Sequence, residues 1–225
     1  MIHILYRHTQ HTSGKGKSRP EWFSYENSLN NILKTIEGRS DVTFHLLYDG
    51  KVAATDPRIH HTIEFEGGSD KASFFYAWEY AKDLELRDKD LVYFCENDYL
   101  HVEGWVDKIL DMFTTYNIPG YVSLYDHSDK YTESYSDLVS RVYVTSTCHW
   151  RTVPSTCGSF IVNKTTLDED YDVHTTFYSD HDKFIKLGED RGRVVVSPMP
   201  SLSTHCEVEW LAPIVNWKEL SFKYE

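Results

Sequence analysis

Short apolar runs alternate with longer stretches of helical spacing from the first residues onward. "IHILY" (2–6) reads as a buried strand, residues 24–38 as a helix ending at Gly38, and "VTFHLLYDG" (42–50) as a second strand stopped by Asp49-Gly50. Residues 69–84 carry Ala72, Phe75, Tyr76 and Tyr80 near helical spacing, with Ser69 or Asp70 placed to cap the helix. "DLVYFCE" (90–96) follows as a strand and residues 102–116 as a further helix. Strands that alternate with helices in this way predict an α/β domain with a largely parallel sheet, whose ligands gather at the carboxyl ends of the strands. Tyr6-Arg7, Asp49 and Glu96-Asn97-Asp98 all stand at such ends, so the three segments are expected to converge on one crevice.

Beyond residue 120 the pattern changes. β-Branched and aromatic residues mix with turn formers as far as Leu167, which predicts short, mixed or antiparallel strands. A helix over 179–192 and an apolar strand over 194–198 come next. The segment "QHTSGKGKSRP" (10–20) has the composition of a mobile loop. It brings Lys15, Lys17 and Arg19 close to Arg7, a basic group suited to closing over a phosphate.

Composition narrows the function. With 225 residues and 40% hydrophobic content the chain can bury a sizeable core, and one compact domain is expected. Lysine and arginine number 23 against 35 acidic residues, a formal charge of -12, which argues against a nucleic-acid backbone or an anionic membrane as partner. An anionic ligand must then be met locally, by a metal ion or a few placed cations. No apolar run approaches a membrane span and the first residues lack a signal-peptide core, so the expectation is a soluble, cytoplasmic protein. Four cysteines are too few for a disulfide framework, although Cys148 and Cys157 could pair if oxidised.

The sharpest chemistry lies in "DLVYFCENDYLHVEGW" (90–105). Glu96 and Asp98, two positions apart, would face the same side of a continuing strand and aim their oxygens at one point. Mutual repulsion of two such carboxylates is relieved by a cation, and Mg²⁺ or Mn²⁺, which bind through one or two carboxylates plus substrate phosphates, suit the pattern. A solvated turn is the plainer reading, but the pair follows a strongly apolar strand and precedes Tyr99 and Leu100 rather than turn formers.

"VYFCENDYLHVEGW" resembles the DXD-type segment of GT-A-fold glycosyltransferases, with the triplet written Glu-Asn-Asp. "GGSDKASFFYAWEYAKDL" is similar to the helix that packs beneath the nucleotide in those enzymes, "LLYDG" to the second strand, "SDHDKFIKL" to the acidic segment that supplies the base, and "STHCEVEW" to the late metal-ligand histidine segment. The resemblance implies a Rossmann-like, mostly parallel central sheet flanked by helices, with a small antiparallel acceptor-side subregion. It also implies a nucleotide-binding part over 1–118 and an acceptor-binding part over 119–225. Asp98 and His205 would then hold Mn²⁺ or Mg²⁺, while Tyr6, Arg7, Asp49, Asp70, Lys71, Glu96 and Asn97 would line the nucleotide pocket. Asp180, or Asp182 in its stead, would serve as the base.

Tyr125, Asp126, Trp150 and Arg151 are candidates for the sugar and acceptor, since carbohydrate sites pair an aromatic face with a few oriented polar groups. The implied activity is metal-dependent transfer of a sugar from a nucleoside diphosphate, UDP favoured, to a glycan or other hydroxyl acceptor, with inversion. Two alternatives stand beside it. A sugar nucleotidyltransferase would need "RHTQHTSGKGKSR" as its phosphate loop, and a non-catalytic glycan-binding module would use the aromatic residues alone.

Overall fold

The computed structural model describes residues 1–9, 17–117, 120–176 and 179–224; Lys15 and the rest of 10–16 lie outside the described residues. The first half runs β1 (Ile2–Thr9), α1 (Tyr25–Thr35), β2 (Val42–Asp49), β3 (His61–Phe65), α2 (Asp70–Asp83), β4 (Leu91–Glu96), β5 (Tyr99–His101) and α3 (Trp105–Thr115). The second runs β6 (Gly120–Val122), β7 (Val142–Val144), β8 (His149–Val153), β9 (Phe160–Asn163), α4 (Lys164–Thr176), α5 (Asp180–Arg191), β10 (Val194–Met199), β11 (Ser203–His205) and α6 (Trp217–Ser221). One nine-stranded sheet in the order β3-β2-β1-β4-β9-β6-β10-β8-β7 spans both halves, and β11 pairs with β5 in a separate ribbon. The block β3-β2-β1-β4 is parallel throughout, while β9 and β8 run antiparallel to their neighbours.

Helices cover both faces, which is why the central strands read as unbroken apolar runs. Ile2, Ile4 and Tyr6 of β1 join Tyr93 and Cys95 of β4 under α1 and α3, where Ile32, Leu33, Trp105 and Ile109 close the layer. Leu5, Val92 and Phe94 point the other way, onto Phe74 and Trp78 of α2, Leu167 of α4, and Phe184 and Leu187 of α5. Ser24, Ser69 and Ser179 cap α1, α2 and α5, each side chain accepting a hydrogen bond from a first-turn N–H. Ser69, not Asp70, is the cap of α2.

Two elements escape the apolar pattern. β3 is an edge strand with His61, Thr62 and Glu64 exposed. α4 buries Thr166, Asp170 and His174 along with Leu167 and Val173, so its inward face is half polar and its hydrophobic period is weak. That polar face is stabilised by pairing: Asp170 accepts from Tyr121 (2.6 Å) and from Arg193 Nε (2.8 Å) and Arg191 (3.0 Å). All four cysteines are free thiols.

Several imidazoles are held neutral by the fold. Burial, with His61 and His3 beside it, pushes His45 down to about 3, and burial does the same to His101, which lies 2.7 Å from the Tyr93 hydroxyl. The unfolded chain takes up these protons as pH falls through 6.5 while the folded chain refuses them until about 3, so stability present above 6.5 is lost on acidification through that window. The urea midpoint should therefore be lower at pH 5 than at pH 7.5; an equal or higher midpoint at pH 5 would contradict this account.

Candidate functional site

The parallel register that pairs Arg7 with Glu96 and Thr9 with Asp49 brings the ends of β1, β2 and β4 side by side. They open onto a cleft of about 300 Å³ lined by Arg7, Asp49, Asp70, Glu96, Asn97 and Asp98, with Lys17 and Arg19 reaching in from the segment after β1. The expected convergence of the three strand ends is present, and two cations of the basic loop belong to it.

Glu96 and Asp98 do not aim at one point. β4 ends at Glu96, the chain turns through Asn97 and Asp98, and it resumes as β5, so the strand alternation that would have aligned the two carboxylates is interrupted between them. Glu96 turns to Arg7, 3.0 Å away, and its backbone N–H donates to Ser159 Oγ at 3.1 Å. Arg7 also reaches Asp70 Oδ1 at 3.0 Å. Burial raises the Glu96 carboxyl above its ordinary value, an effect that Arg7 opposes and that Asp98 and Asp70 reinforce. Gly158 closes over this pair: a Cβ there would stand 3.2 Å from both the Arg7 guanidinium and the Glu96 carboxylate.

Asp98 is 3% exposed. Its Oδ2 accepts from Arg19 at 2.6 Å and from Lys17 at 3.2 Å, and it lies 3.0 Å from His205 Nε2. Burial alone would raise this carboxyl, but His205, Lys17 and Arg19 together hold it well below the usual carboxylate range. The β5–β11 ribbon sets the geometry by placing His205 opposite Tyr99, whose ring it stacks at 5.3 Å.

The remaining nucleotide-side candidates divide. Asp49 accepts from the N–H groups of Gly67 and Gly68, 2.8 Å each, and so fastens the turn into α2, where Gly68 adopts a left-handed φ of 71°. Asn97 Nδ2 donates to His8 Nδ1 at 2.9 Å. Tyr6 does not reach the cleft: it is fully buried in the core, its hydroxyl 3.3 Å from the Asn97 carbonyl. Lys71 is exposed over the Phe75 ring and lies outside the cleft lining.

Mn²⁺ and Mg²⁺ favour oxygen-rich sites. Asp98 Oδ1 is buried without a hydrogen-bond partner, but Oδ2 and His205 Nε2 are both within hydrogen-bond distance of the Lys17 ammonium, and Glu96 is turned to Arg7. Among the described residues there is no group of three histidine, cysteine or acidic side chains that could hold a metal ion. In this arrangement the residues do not fit a resident divalent ion.

A second cavity, of about 190 Å³, opens beside the first and is lined by Tyr125, His127, Lys130, Tyr135, Cys157 and Asp180. Cys157 adjoins Gly158, which packs against the Arg7–Glu96 pair of the first cavity. Asp180 lies in the first turn of α5 and accepts from Lys183 at 2.9 Å. The Lys183 side chain is fully buried, 4.1 Å from the Phe74 ring centroid, and burial pushes its ammonium below the ordinary lysine value while Asp180 opposes that shift. Asp182 is exposed and does not line the cavity.

All four acceptor-side candidates have partners within the protein. Trp150 is fully buried in the core between β10 and β7, so its ring offers no face to a sugar. Arg151 and Asp126 form a buried pair at 2.8 Å, and the Tyr131 hydroxyl donates to the same aspartate. Tyr125 lines the second cavity, its hydroxyl donating to the Trp210 carbonyl. Lys183 and Gly158 were not singled out from the sequence. Lys183 could have been, since it shares one helix face with Leu187 and neighbours Phe184, a place where a lysine is anomalous.

No protein-family model matches the chain, and no curated protein matches it by sequence. Its architecture matches solved structures. A protein from Desulfovibrio desulfuricans G20, assigned by name to the nucleotide-diphospho-sugar transferases, is 14% identical at a TM-score of 0.50, over 87% of this chain and 78% of that one. The chain has the nucleotide-diphospho-sugar transferase fold. Galactosyltransferase LgtC, solved with donor and acceptor sugar analogues, is 12% identical over 87% of this chain and 72% of its own, with a TM-score of 0.44. A Francisella tularensis 2-C-methyl-D-erythritol 4-phosphate cytidylyltransferase is 12% identical over 99% and 97% of the two chains, with a TM-score of 0.46. The fold assignment rests on the first of the three. Among the described residues no helix is long and apolar enough to cross a membrane.

Arg7 and Glu96 offer a test of the site's electrostatics. Arg7→Met leaves the partly buried Glu96 carboxylate, 21% exposed, without its cation, and leaving such a charged group unpaired typically costs about 1–3 kcal/mol. Urea unfolding at pH 7.5 should show a loss of that order; a loss below about 1 kcal/mol, the range of exposed ion pairs, would mean that the pair is solvated.

Proposed function

We propose that the chain is a nucleotide-sugar glycosyltransferase that moves a sugar from a nucleoside diphosphate, UDP by the sequence resemblance, onto an acceptor hydroxyl. The observation that carries this reading is the pair of adjoining cavities. One is a cleft at the carboxyl ends of β1, β2 and β4 whose lining sets Arg7, Lys17 and Arg19 among the carboxylates of Asp49, Asp70, Glu96 and Asp98, and the other is a space bordered by Tyr125 and Tyr135 that holds two carboxylates, Asp129 and Asp180. The first has the chemistry for a nucleotide diphosphate, the second for a sugar hydroxyl.

In the reaction the acceptor oxygen forms a bond to the anomeric carbon, and the bond from that carbon to the β-phosphate oxygen breaks, its electron pair leaving on the phosphate. The acceptor proton passes to Asp180, which Lys183 holds in place from the same helix. Attack from the Asp180 side, opposite the leaving diphosphate, gives inversion. Asp182 is the weaker choice of base because it stands outside the cavity.

One observation favours a second reading. Lys17 and Arg19 follow the first strand and reach the cleft, a position that would also serve a nucleotidyltransferase handling a nucleoside triphosphate. Product analysis by phosphorus NMR separates the two. Release of nucleoside diphosphate from a panel of nucleotide sugars supports glycosyl transfer, whereas inorganic diphosphate formed from a nucleoside triphosphate and a sugar phosphate would replace it.

Asp180→Asn keeps shape but cannot accept the proton, so transfer at saturating donor should fall on the order of 10²- to 10⁴-fold while donor affinity by calorimetry stays near wild type. Near-wild-type transfer by Asp180→Asn would remove Asp180 from the mechanism.

A further inference from the structure

We propose that the Lys17 ammonium, seated between Asp98 and His205 and backed by Arg19, takes the place of a divalent ion, so that a nucleoside diphosphate binds this cleft without metal. The inference rests on the nucleotide-sugar reading above and departs from the metal dependence that the sequence resemblance implies.

Its basis is a coincidence of positions. Lys17 Nζ lies 3.2 Å from Asp98 Oδ2 and 3.3 Å from His205 Nε2, the two side chains that a divalent ion would have to bridge. An ion such as Mg²⁺ would need its oxygen ligands at roughly 2.1 Å. At Asp98 Oδ2 and His205 Nε2 the ammonium and the ion therefore compete for the same lone pairs, while Asp98 Oδ1 has no hydrogen-bond partner. The histidine cannot serve both, since its Nε2 either accepts from Lys17, with the proton on Nδ1 facing Glu207 at 3.6 Å, or donates to Asp98. In neither tautomer is the Nε2 lone pair free for a metal.

The corner also has the charge to do a metal's work. Lys17 and Arg19 both reach the single carboxylate of Asp98, two cations on one anion, with Glu96 and, beyond His205, Glu207 as the next carboxylates. Arg19 is fixed by the Cys206 carbonyl, 2.8 Å from its second terminal nitrogen, whereas the Lys17 side chain is 47% exposed to the cleft and to solvent. An ammonium has three donors, and two are directed to Asp98 and His205, leaving the third for a phosphate oxygen. Arg7 cannot replace it, being shared between Glu96 and Asp70. When the donor's carbon–oxygen bond breaks and the electron pair leaves on the β-phosphate oxygen, Lys17 and Arg19 are the cations at hand.

Calorimetry with UDP, once with EDTA and once with Mn²⁺, tests the proposal on the whole chain. Wild-type protein should bind UDP in EDTA within about threefold of its affinity in Mn²⁺. Lys17→Ala should weaken binding in EDTA by roughly tenfold or more, the loss of one charge-assisted hydrogen bond, and Lys17→Arg should restore most of it. Circular dichroism checks that the alanine variant is folded, as expected for a half-exposed side chain. Binding that appears only with Mn²⁺, or a Lys17→Ala variant that binds in EDTA as tightly as wild type, overturns this inference and leaves the nucleotide-sugar reading standing. No binding of UDP or GDP under either condition overturns both.

Discussion

A carboxylate removed from water must be met by cations or hydrogen-bond donors, and at Asp98 this requirement organises one end of the molecule. The side chain sits beneath the ends of the central strands, and the partners it gathers come from distant stretches of sequence: Lys17 and Arg19 from the segment after β1, and His205 from the ribbon strand β11. Their convergence ties the β5–β11 ribbon to the loop that borders the cleft. Cys206 adds to the tie from both directions, donating its N–H to the Asp98 carbonyl at 2.8 Å and offering its own carbonyl to Arg19. Without the negative charge, Lys17 and Arg19 would lose the carboxylate they share and keep only their mutual repulsion and their neutral partners at His205 and Cys206.

The same logic partitions the rest of the cleft. Each acidic group at a strand end has its own donor: Glu96 has Arg7, and Asp49 has the two backbone N–H groups before α2. Lys183 and Asp180 form a further pair at the second cavity. The protein as a whole is strongly acidic, yet where an anionic ligand would enter, Lys17 and Arg19 outnumber the one carboxylate they share. Under the proposed reading, a nucleotide diphosphate would be met by local placement of charge rather than by the field of the whole chain.

The α/β frame was legible in the sequence because its central strands are buried on both faces and three of its helices, α1, α2 and α5, are capped by serines. Val92-Tyr93-Phe94 alternates between two cores and so cannot be mistaken for a surface strand. The site was legible only as a location. Whether Glu96 and Asp98 act together depends on where β4 stops, and that is set by pairing of the three-residue β5 with β11, about a hundred positions away in sequence. Trp150 beside Arg151 reads as a sugar platform until β7 and β10 are seen on either side of β8. Lys17, in a glycine-containing polar loop, has the composition of a solvated residue; its place against Asp98 and His205 is a tertiary fact that no local pattern encodes.

In the proposed reading the Asp98 corner is where a nucleotide diphosphate is held. The most direct measurement is a crystal structure of the protein soaked with UDP. The diphosphate is expected in the cleft, with at least one phosphate oxygen within hydrogen-bond distance of Lys17 Nζ and the base towards the ends of β1 and β2. UDP bound in another part of the molecule, or in the cleft with its phosphates turned away from Lys17 and Arg19, would contradict it.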